Sequence, residues 1–128
     1  MQTEKIIFVD DEDAILELYQ DIFETTPYKV FTEKNPLKAL KTINKQRIQV
    51  MFFDLKMPEM DGTQLCRKIR ETNSVAVIHA VTGHSSLFEL SEVREAGFDD
   101  YFKKPIDPEL ILEAADRAFN KLERWAHK

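Results

Sequence analysis

The sequence predicts a single α/β domain in which five strand–helix units wind both ways around one parallel sheet, a doubly wound (βα)5 fold. Two observations carry this expectation. Three short runs, Ile6-Ile7-Phe8-Val9, Val50-Met51-Phe52-Phe53 and Val75–Val81, are apolar almost throughout, with only His79 interrupting the third. Continuous apolar runs of this length mark strands covered on both faces. The segments between them carry apolar residues at helical spacing. Strand and helix patterns alternate from end to end, without repeats, low-complexity tracts or a linker. Right-handed crossovers then place helices on both faces of the sheet.

Each element follows from local chemistry. Lys5–Val9 forms the first strand, and the helix after it carries Ala14, Ile15, Leu18, Ile22 and Phe23 on one side, stopped by Pro27. Lys29–Thr32 is a short, half-polar strand. Asn35-Pro36 pairs a capping side chain with a first-turn proline and opens a helix bearing Leu37, Leu40 and Ile43. Gln49–Phe53 is the third strand. Met57–Gly62 forms a loop in which Asp61-Gly62 supplies turn chemistry before a helix with Leu65, Cys66 and Ile69 on one side. The fourth strand is Val75–Val81. Helix Leu87–Ala96 follows and ends at Gly97, read as a left-handed cap. Asp100–Lys103 is the fifth strand. Asp107-Pro108 then caps a last helix carrying Leu110, Ile111, Ala114, Ala115, Ala118, Phe119 and Leu122.

Composition narrows the function. A length of 128 residues fits one domain with a real core. The net charge of −5 argues against direct nucleic-acid binding, which favours a basic surface. The single cysteine, Cys66, has no internal disulfide partner and reads as a small buried apolar residue. Neither a signal peptide nor a membrane span is recognisable, so the expected location is the cytoplasm, away from membranes.

Chemistry concentrates where the strands end. Asp10 and Asp11 follow the first run, Asp54 follows the third, Thr82 closes the fourth, and Lys104-Pro105 follows the fifth. Open α/β sheets place their ligand crevices along that carboxyl edge. Carboxylates converging there repel one another unless neutralised. Mg²⁺ (or Mn²⁺), with its preference for oxygen ligands, is the natural partner. A carboxylate is also a nucleophile toward phosphorus, and phosphoryl transfer asks chiefly for positioning and charge neutralisation.

Four stretches extend this reading to a family. Val9-Asp10-Asp11-Glu12, Phe53-Asp54-Leu55-Lys56-Met57-Pro58-Glu59-Met60-Asp61-Gly62, Val81-Thr82-Gly83 and Lys103-Lys104-Pro105 occur in order at the ends of strands one, three, four and five. Together they make the chain similar to the receiver domain of two-component response regulators, of the single-domain, chemotaxis type, over essentially its whole length. The resemblance implies a flavodoxin-like sheet in the order 2-1-3-4-5. It also implies one receiver over residues 1–128, with a core at about 4–122 and a C-terminal helix extending to 128.

Roles follow residue by residue from the resemblance. Asp54 is the expected phosphoacceptor. Asp10, Asp11, Asp54 and the backbone carbonyl of Lys56 are expected to hold the metal, Asp10 mostly through water. Lys104 is expected to pair with the phosphate, and Thr82, Gly83 and Tyr101 to form the switch. Lys56 and His84 occupy positions that tune phosphate lifetime. A sensor histidine kinase or histidine phosphotransfer protein is the implied donor, and a downstream protein the implied target. The face formed by the fourth helix, fifth strand and fifth helix is expected to change shape for docking, relay or a phosphorylation-dependent dimer. Such a chain is not an enzyme beyond its own phosphorylation and dephosphorylation.

Several residues carry two readings. Tyr101 is either the switch aromatic or an ordinary core aromatic. His79 reads as a hydrogen-bonded core histidine, and His79, His84 and His127 show no metal-ligand spacing. Trp125 either packs back on the domain or marks a partner surface. A stand-alone switch or relay is the expected form, and a receiver excised from a longer regulator or hybrid kinase is the alternative. An Mg-dependent phosphatase of the haloacid-dehalogenase type is the rival enzyme, but it needs an aspartate two residues after its nucleophile. Lys56 stands there after Asp54, and after Asp10 only Glu12 offers a substitute. A flavin carrier is disfavoured because Asp10 to Asp13 would repel its phosphate.

Overall fold

A computed structural model describes residues 4–83 and 87–126, residues 87–89 through their backbone alone. The elements are β1 (Lys5–Val9), α1 (Asp13–Phe23), β2 (Lys29–Glu33), α2 (Pro36–Gln46), β3 (Val50–Asp54), α3 (Gly62–Arg70), β4 (Val77–Thr82), α4 (Leu87–Ala96), β5 (Asp100–Lys103) and α5 (Pro108–Ala126). The five strands form one parallel sheet in the order β2-β1-β3-β4-β5. This is the order that the family resemblance implies for a doubly wound sheet. The register pairs Val9 with Phe53, Asp54 with Val81, and Thr82 with Lys103, which brings the carboxyl ends of β1, β3, β4 and β5 side by side.

Strand residues alternate between two cores, because side chains along a strand point to opposite faces. Ile7, Val9, Met51, Phe53, Ile78 and Ala80 pack with residues of α2, α3 and α4. Ile6, Phe8, Val50, Phe52, Val77 and Val81 pack with α1 and α5. The unbroken apolar runs therefore serve both faces at once. Val75 lies outside this scheme: β4 starts at Val77, and Val75 is 52% exposed before it.

Helix α3 buries Leu65, Cys66 and Ile69, and α5 buries Ile111, Ala114, Ala115, Ala118 and Phe119, as expected, whereas α1 and α2 bury displaced stripes. In α1 the buried residues are Leu16, Tyr19 and Phe23, while Leu18 is exposed. Tyr19 stacks on Phe8 with ring centroids 4.0 Å apart, so the aromatic of the helix, not its leucine, covers the aromatic of the strand. Leu37 of α2 and Leu110 of α5 are likewise exposed, and Ala39 and Ile111 take the inward positions. Ala39 of α2 and Ala114, Ala115 and Ala118 of α5 are small and let those helix backbones approach the sheet. Helix α1 ends at Phe23, before Pro27.

Caps account for several helix ends. Asn35 accepts from the backbone of Leu37 and Lys38, with Pro36 in the first turn. Gly97 takes φ +104 after α4, as its residue type predicts. Arg47 takes a left-handed φ of 56 after α2 without the help of glycine. Asp61 forms a capping box with Gln64 at the start of α3. Gly62 is needed there for space: a Cβ on it would lie 2.3 Å from the Asp54 carbonyl oxygen. Close backbone approach, not flexibility at a bend, explains this glycine.

His79 is a core residue, as read. Its Nδ1 lies 2.8 Å from the Met51 carbonyl, and its ring stacks on Phe52 at 4.0 Å. Burial holds its pKa below the usual histidine value. Cys66 is buried, and burial pushes its thiol up to about 12. No helix among the described residues is long and apolar enough to cross a membrane.

The Gly62 approach yields a prediction. Gly62→Ala should lower the unfolding midpoint in thermal denaturation by the equivalent of about 2 kcal/mol or more, because two backbones must separate. A midpoint equal to that of the native chain would show that the loop after β3 yields freely.

Candidate functional site

The site is assembled by strand ends. Asp10 follows Val9 directly, is 1% exposed, and is tied down from both sides. Its N–H donates to the Glu33 carbonyl at 3.2 Å, and its Oδ1 accepts from the Glu12 N–H at 2.9 Å. Asp54 is the last residue of β3 and is 5% exposed. The N–H of Lys56 reaches Asp54 Oδ1 at 3.4 Å. Thr82 is fully buried at the end of β4, and its carbonyl accepts from the Lys104 N–H at 2.7 Å. That backbone bond carries Lys104 to the site.

Lys104 Nζ then stands 3.1 Å from Asp10 Oδ2, 3.6 Å from Asp54 Oδ1 and 4.0 Å from Glu12 Oε1. One ammonium serves two buried carboxylates. Burial raises the pKa of Asp54 to about 6, reinforced by the charge of Asp10 and opposed by Lys104. Burial likewise raises Asp10, against the pull of the Glu12 N–H and Lys104. Burial works to lower the pKa of Lys104, but its hydrogen bond to Asp10 and both aspartate charges outweigh it, so Lys104 is raised. The pocket is short of positive charge.

Asp10, Asp11 and Glu12 each offer a carboxylate oxygen, and these lie within 4.8 Å of one another. Three hard oxygen donors, with the raised carboxyl group of Asp54 nearby, fit a divalent cation such as Mg²⁺. Asp54 stands outside that trio and joins it through Lys104. Glu12 is the addition: the sequence presents it as a motif neighbour and a substitute acid, and here its carboxylate joins the cluster while its N–H donates to Asp10 Oδ1.

The remaining candidates lie around this centre. Lys56 is exposed, with its N–H on Asp54. Gly83 is exposed, and no described atom lies within 4 Å of where its Cβ would be. Tyr101 sits opposite Ala80 and packs half-buried against the core under α3 and α4. Trp125 is 59% exposed near the end of α5. His84 and His127 lie outside the described residues.

Residues 6–116 match the model of the response regulator receiver domain family, and the chain belongs to that family. It is 30% identical to sporulation initiation phosphotransferase F of Bacillus subtilis, over 91% of this chain and 94% of that protein. It is 33% identical to the transcriptional regulatory protein CseB of Streptomyces coelicolor, over 95% of this chain but half of that protein. Two other transcriptional regulators extend further beyond the match, which spans 28% and 43% of their lengths. Among solved structures, a CheY-like receiver domain protein from Methanospirillum hungatei superposes with a TM-score of 0.89 at 30% identity, covering 96% of this chain and 98% of that one. The fold and family are those of a two-component signalling receiver.

The raised carboxyl groups predict how stability varies with pH. A carboxyl group whose pKa is higher in the native state binds protons more tightly there, so native stability falls as pH rises through its native pKa. For Asp54 the loss runs between the ordinary value of 3.8 and about 6. At about 1.4 kcal/mol per factor of ten in proton affinity, it amounts to roughly 2–3 kcal/mol by neutral pH. In metal-free buffer at pH 7.5, Asp54→Asn should therefore be more stable than the native chain by about that amount, the difference vanishing near pH 4. Equal denaturation midpoints at pH 7.5 would remove the electrostatic strain from Asp54.

Proposed function

We propose that this chain is a phosphoacceptor: Asp54 takes a phosphoryl group from a phosphohistidine on a sensor kinase or histidine phosphotransfer protein. The observation that carries this reading is the ammonium of Lys104 shared between buried Asp10 and Asp54 at adjoining strand ends. In the reaction, an Asp54 carboxylate oxygen forms a bond to phosphorus while the phosphorus–nitrogen bond breaks, its electron pair returning to the imidazole. The product is an acyl phosphate on Asp54. Attack of water on phosphorus later cleaves the bond to Asp54, releasing inorganic phosphate and the carboxylate.

Each residue has a part in this. Asp10, Asp11, Asp54 and the Lys56 carbonyl would hold Mg²⁺ or Mn²⁺. Bound there, the cation supplies charge neutralisation for the incoming phosphoryl oxygens. Lys104 is already within reach of Asp54, and a phosphate there would offer its ammonium a stronger partner than Asp10 does. The Thr82 hydroxyl would turn toward the new oxygens, Gly83 leaves it room, and Tyr101 would fill the space vacated. The face of α4, β5 and α5 would then differ between the two states, for docking on a downstream protein, onward relay or dimer formation. A modest free-energy difference suffices if the states lie close. Lys56 and His84 would tune how long the phosphoryl group lasts.

On this reading residues 1–128 act as one receiver in the cytoplasm, with α5 continuing beyond the core, and contact neither nucleic acid nor membrane directly. Its chemistry is confined to its own phosphorylation and dephosphorylation. The resemblance over nearly the whole of a sporulation phosphotransferase supports this scheme, and so does the family match.

Acetyl phosphate with Mg²⁺ should add one phosphoryl group to the native chain by intact-mass measurement, and none to Asp54→Asn. An adduct that persists in Asp54→Asn would overturn the assignment. Asp11→Ala should weaken Mg²⁺ binding, followed by calorimetric titration, at least about tenfold, since a lost charged partner costs about 1.5 kcal/mol or more. An unchanged titration would remove Asp11 from the metal site.

A further inference from the structure

At the opposite end of the sheet from Asp54, one guanidinium joins four segments. Arg70, the last residue of α3, donates from Nε to the Gly97 carbonyl at 2.9 Å and from Nη1 to the Ala76 carbonyl at 2.7 Å. A longer bond runs from Nη1 to the Asn73 carbonyl at 3.4 Å, and Nη2 pairs with Asp99 Oδ2 at 2.9 Å. Those partners are the turn after α3, the entry to β4, the residue ending α4 and the residue before β5. Asp99 completes the joint. Its Oδ2 also accepts the Ile78 N–H at 2.8 Å, its own N–H donates to the Ile78 carbonyl at 2.8 Å, and Lys121 of α5 lies 4.0 Å from Oδ1. Gly97 is shaped to this arrangement: it takes φ +104, and a Cβ there would stand 2.9 Å from Arg70 Cγ.

We propose that Arg70 is a positioning residue for the switch, fixing the amino ends of β4 and β5 as the pivot about which their carboxyl ends respond when Asp54 is modified. The two ends of this strand pair differ in kind. At the carboxyl end, the pairing of Thr82 with Lys103 and the bond from Lys104 to Thr82 adjoin groups whose partners change when a phosphate arrives. At the amino end, Ile78 lies four residues before Thr82, about 13 Å away along an extended strand. None of the bonds at that joint involves Asp10, Asp54, Thr82 or Lys104. A pair held by five or six bonds at one end and by exchangeable contacts at the other moves at the exchangeable end. Lysine cannot replace Arg70 here, because only the planar guanidinium presents donors in several fixed directions together.

This inference rests on Asp54 being the phosphoacceptor. Its test is amide hydrogen exchange on the full chain with Mg²⁺, with and without beryllofluoride as the phosphoryl mimic. In the native protein, exchange at residues 80–83 and 101–105 should change at least about fivefold, while residues 96–100 change less than about twofold. An adduct at Asp54 accompanied by equal changes at 96–100 and 101–105 overturns the pivot alone. Failure to form any adduct overturns the phosphoacceptor reading and the pivot with it. Arg70→Lys should form the same single adduct but spread the exchange change into residues 96–100, as should Asp99→Asn. A variant pattern identical to the native one also overturns the proposal, and if neither variant folds, the native pattern decides.

Discussion

Everything at the functional edge of this sheet turns on one ammonium between two buried carboxylates. Lys104 stands 3.1 Å from Asp10 and 3.6 Å from Asp54, and both aspartates are almost wholly removed from water. A single cation cannot satisfy two such charges, so both carboxyl groups retain protons more tightly than usual. That deficit is what a divalent cation relieves, and it is what a phosphoryl group with its own counter-charge would rearrange. Lys104 reaches both acids, so a phosphoryl group on Asp54 would compete with Asp10 for its ammonium.

The fold holds this unfavourable arrangement in place from behind. Apolar residues on both faces of β1 and β3 commit the strands, and each acid follows its strand with no freedom to turn outward. Gly62 lets the start of α3 close against the carbonyl of Asp54, and the capping box of Asp61 and Gln64 anchors that helix start. Lys104 arrives through a backbone bond to Thr82, the residue whose hydroxyl is the proposed sensor. The two carboxylates therefore sit together because the backbone around them is fixed, and Lys104 offsets part of their repulsion. Such concentrated electrostatic cost is characteristic of functional sites.

Much of this was legible in the sequence, and for physical reasons. Continuous apolar runs can only be strands covered on both sides, and a charged residue that ends such a run must emerge at the sheet edge. Asp10 and Asp54 were readable on that ground, and Thr82 and Lys104 from their places at the ends of the fourth and fifth strands. Gly97 was readable because a left-handed cap after a helix favours glycine. What escaped depended on contacts distant in sequence. The inward stripe of α1 is set by Phe8 stacking on Tyr19, which local periodicity does not reveal, and Leu18 was misplaced in consequence. Gly62 answers to a carbonyl eight residues earlier. Arg70 meets Asp99 across 29 positions, and neither residue carries a local signature. Arg47 adopts a left-handed conformation that its type does not favour.

The central claim is that Asp10 and Asp54 are carboxylates held against their preference beside one shared cation. Carboxyl-carbon NMR of the metal-free native chain, titrated from pH 3 to 8, tests it most directly. The Asp54 resonance should titrate with a midpoint near 6, with Asp10 also above the ordinary aspartate range, and saturating Mg²⁺ should drive both midpoints downward. Two resonances titrating near the ordinary 3.8, indifferent to Mg²⁺, would contradict the account.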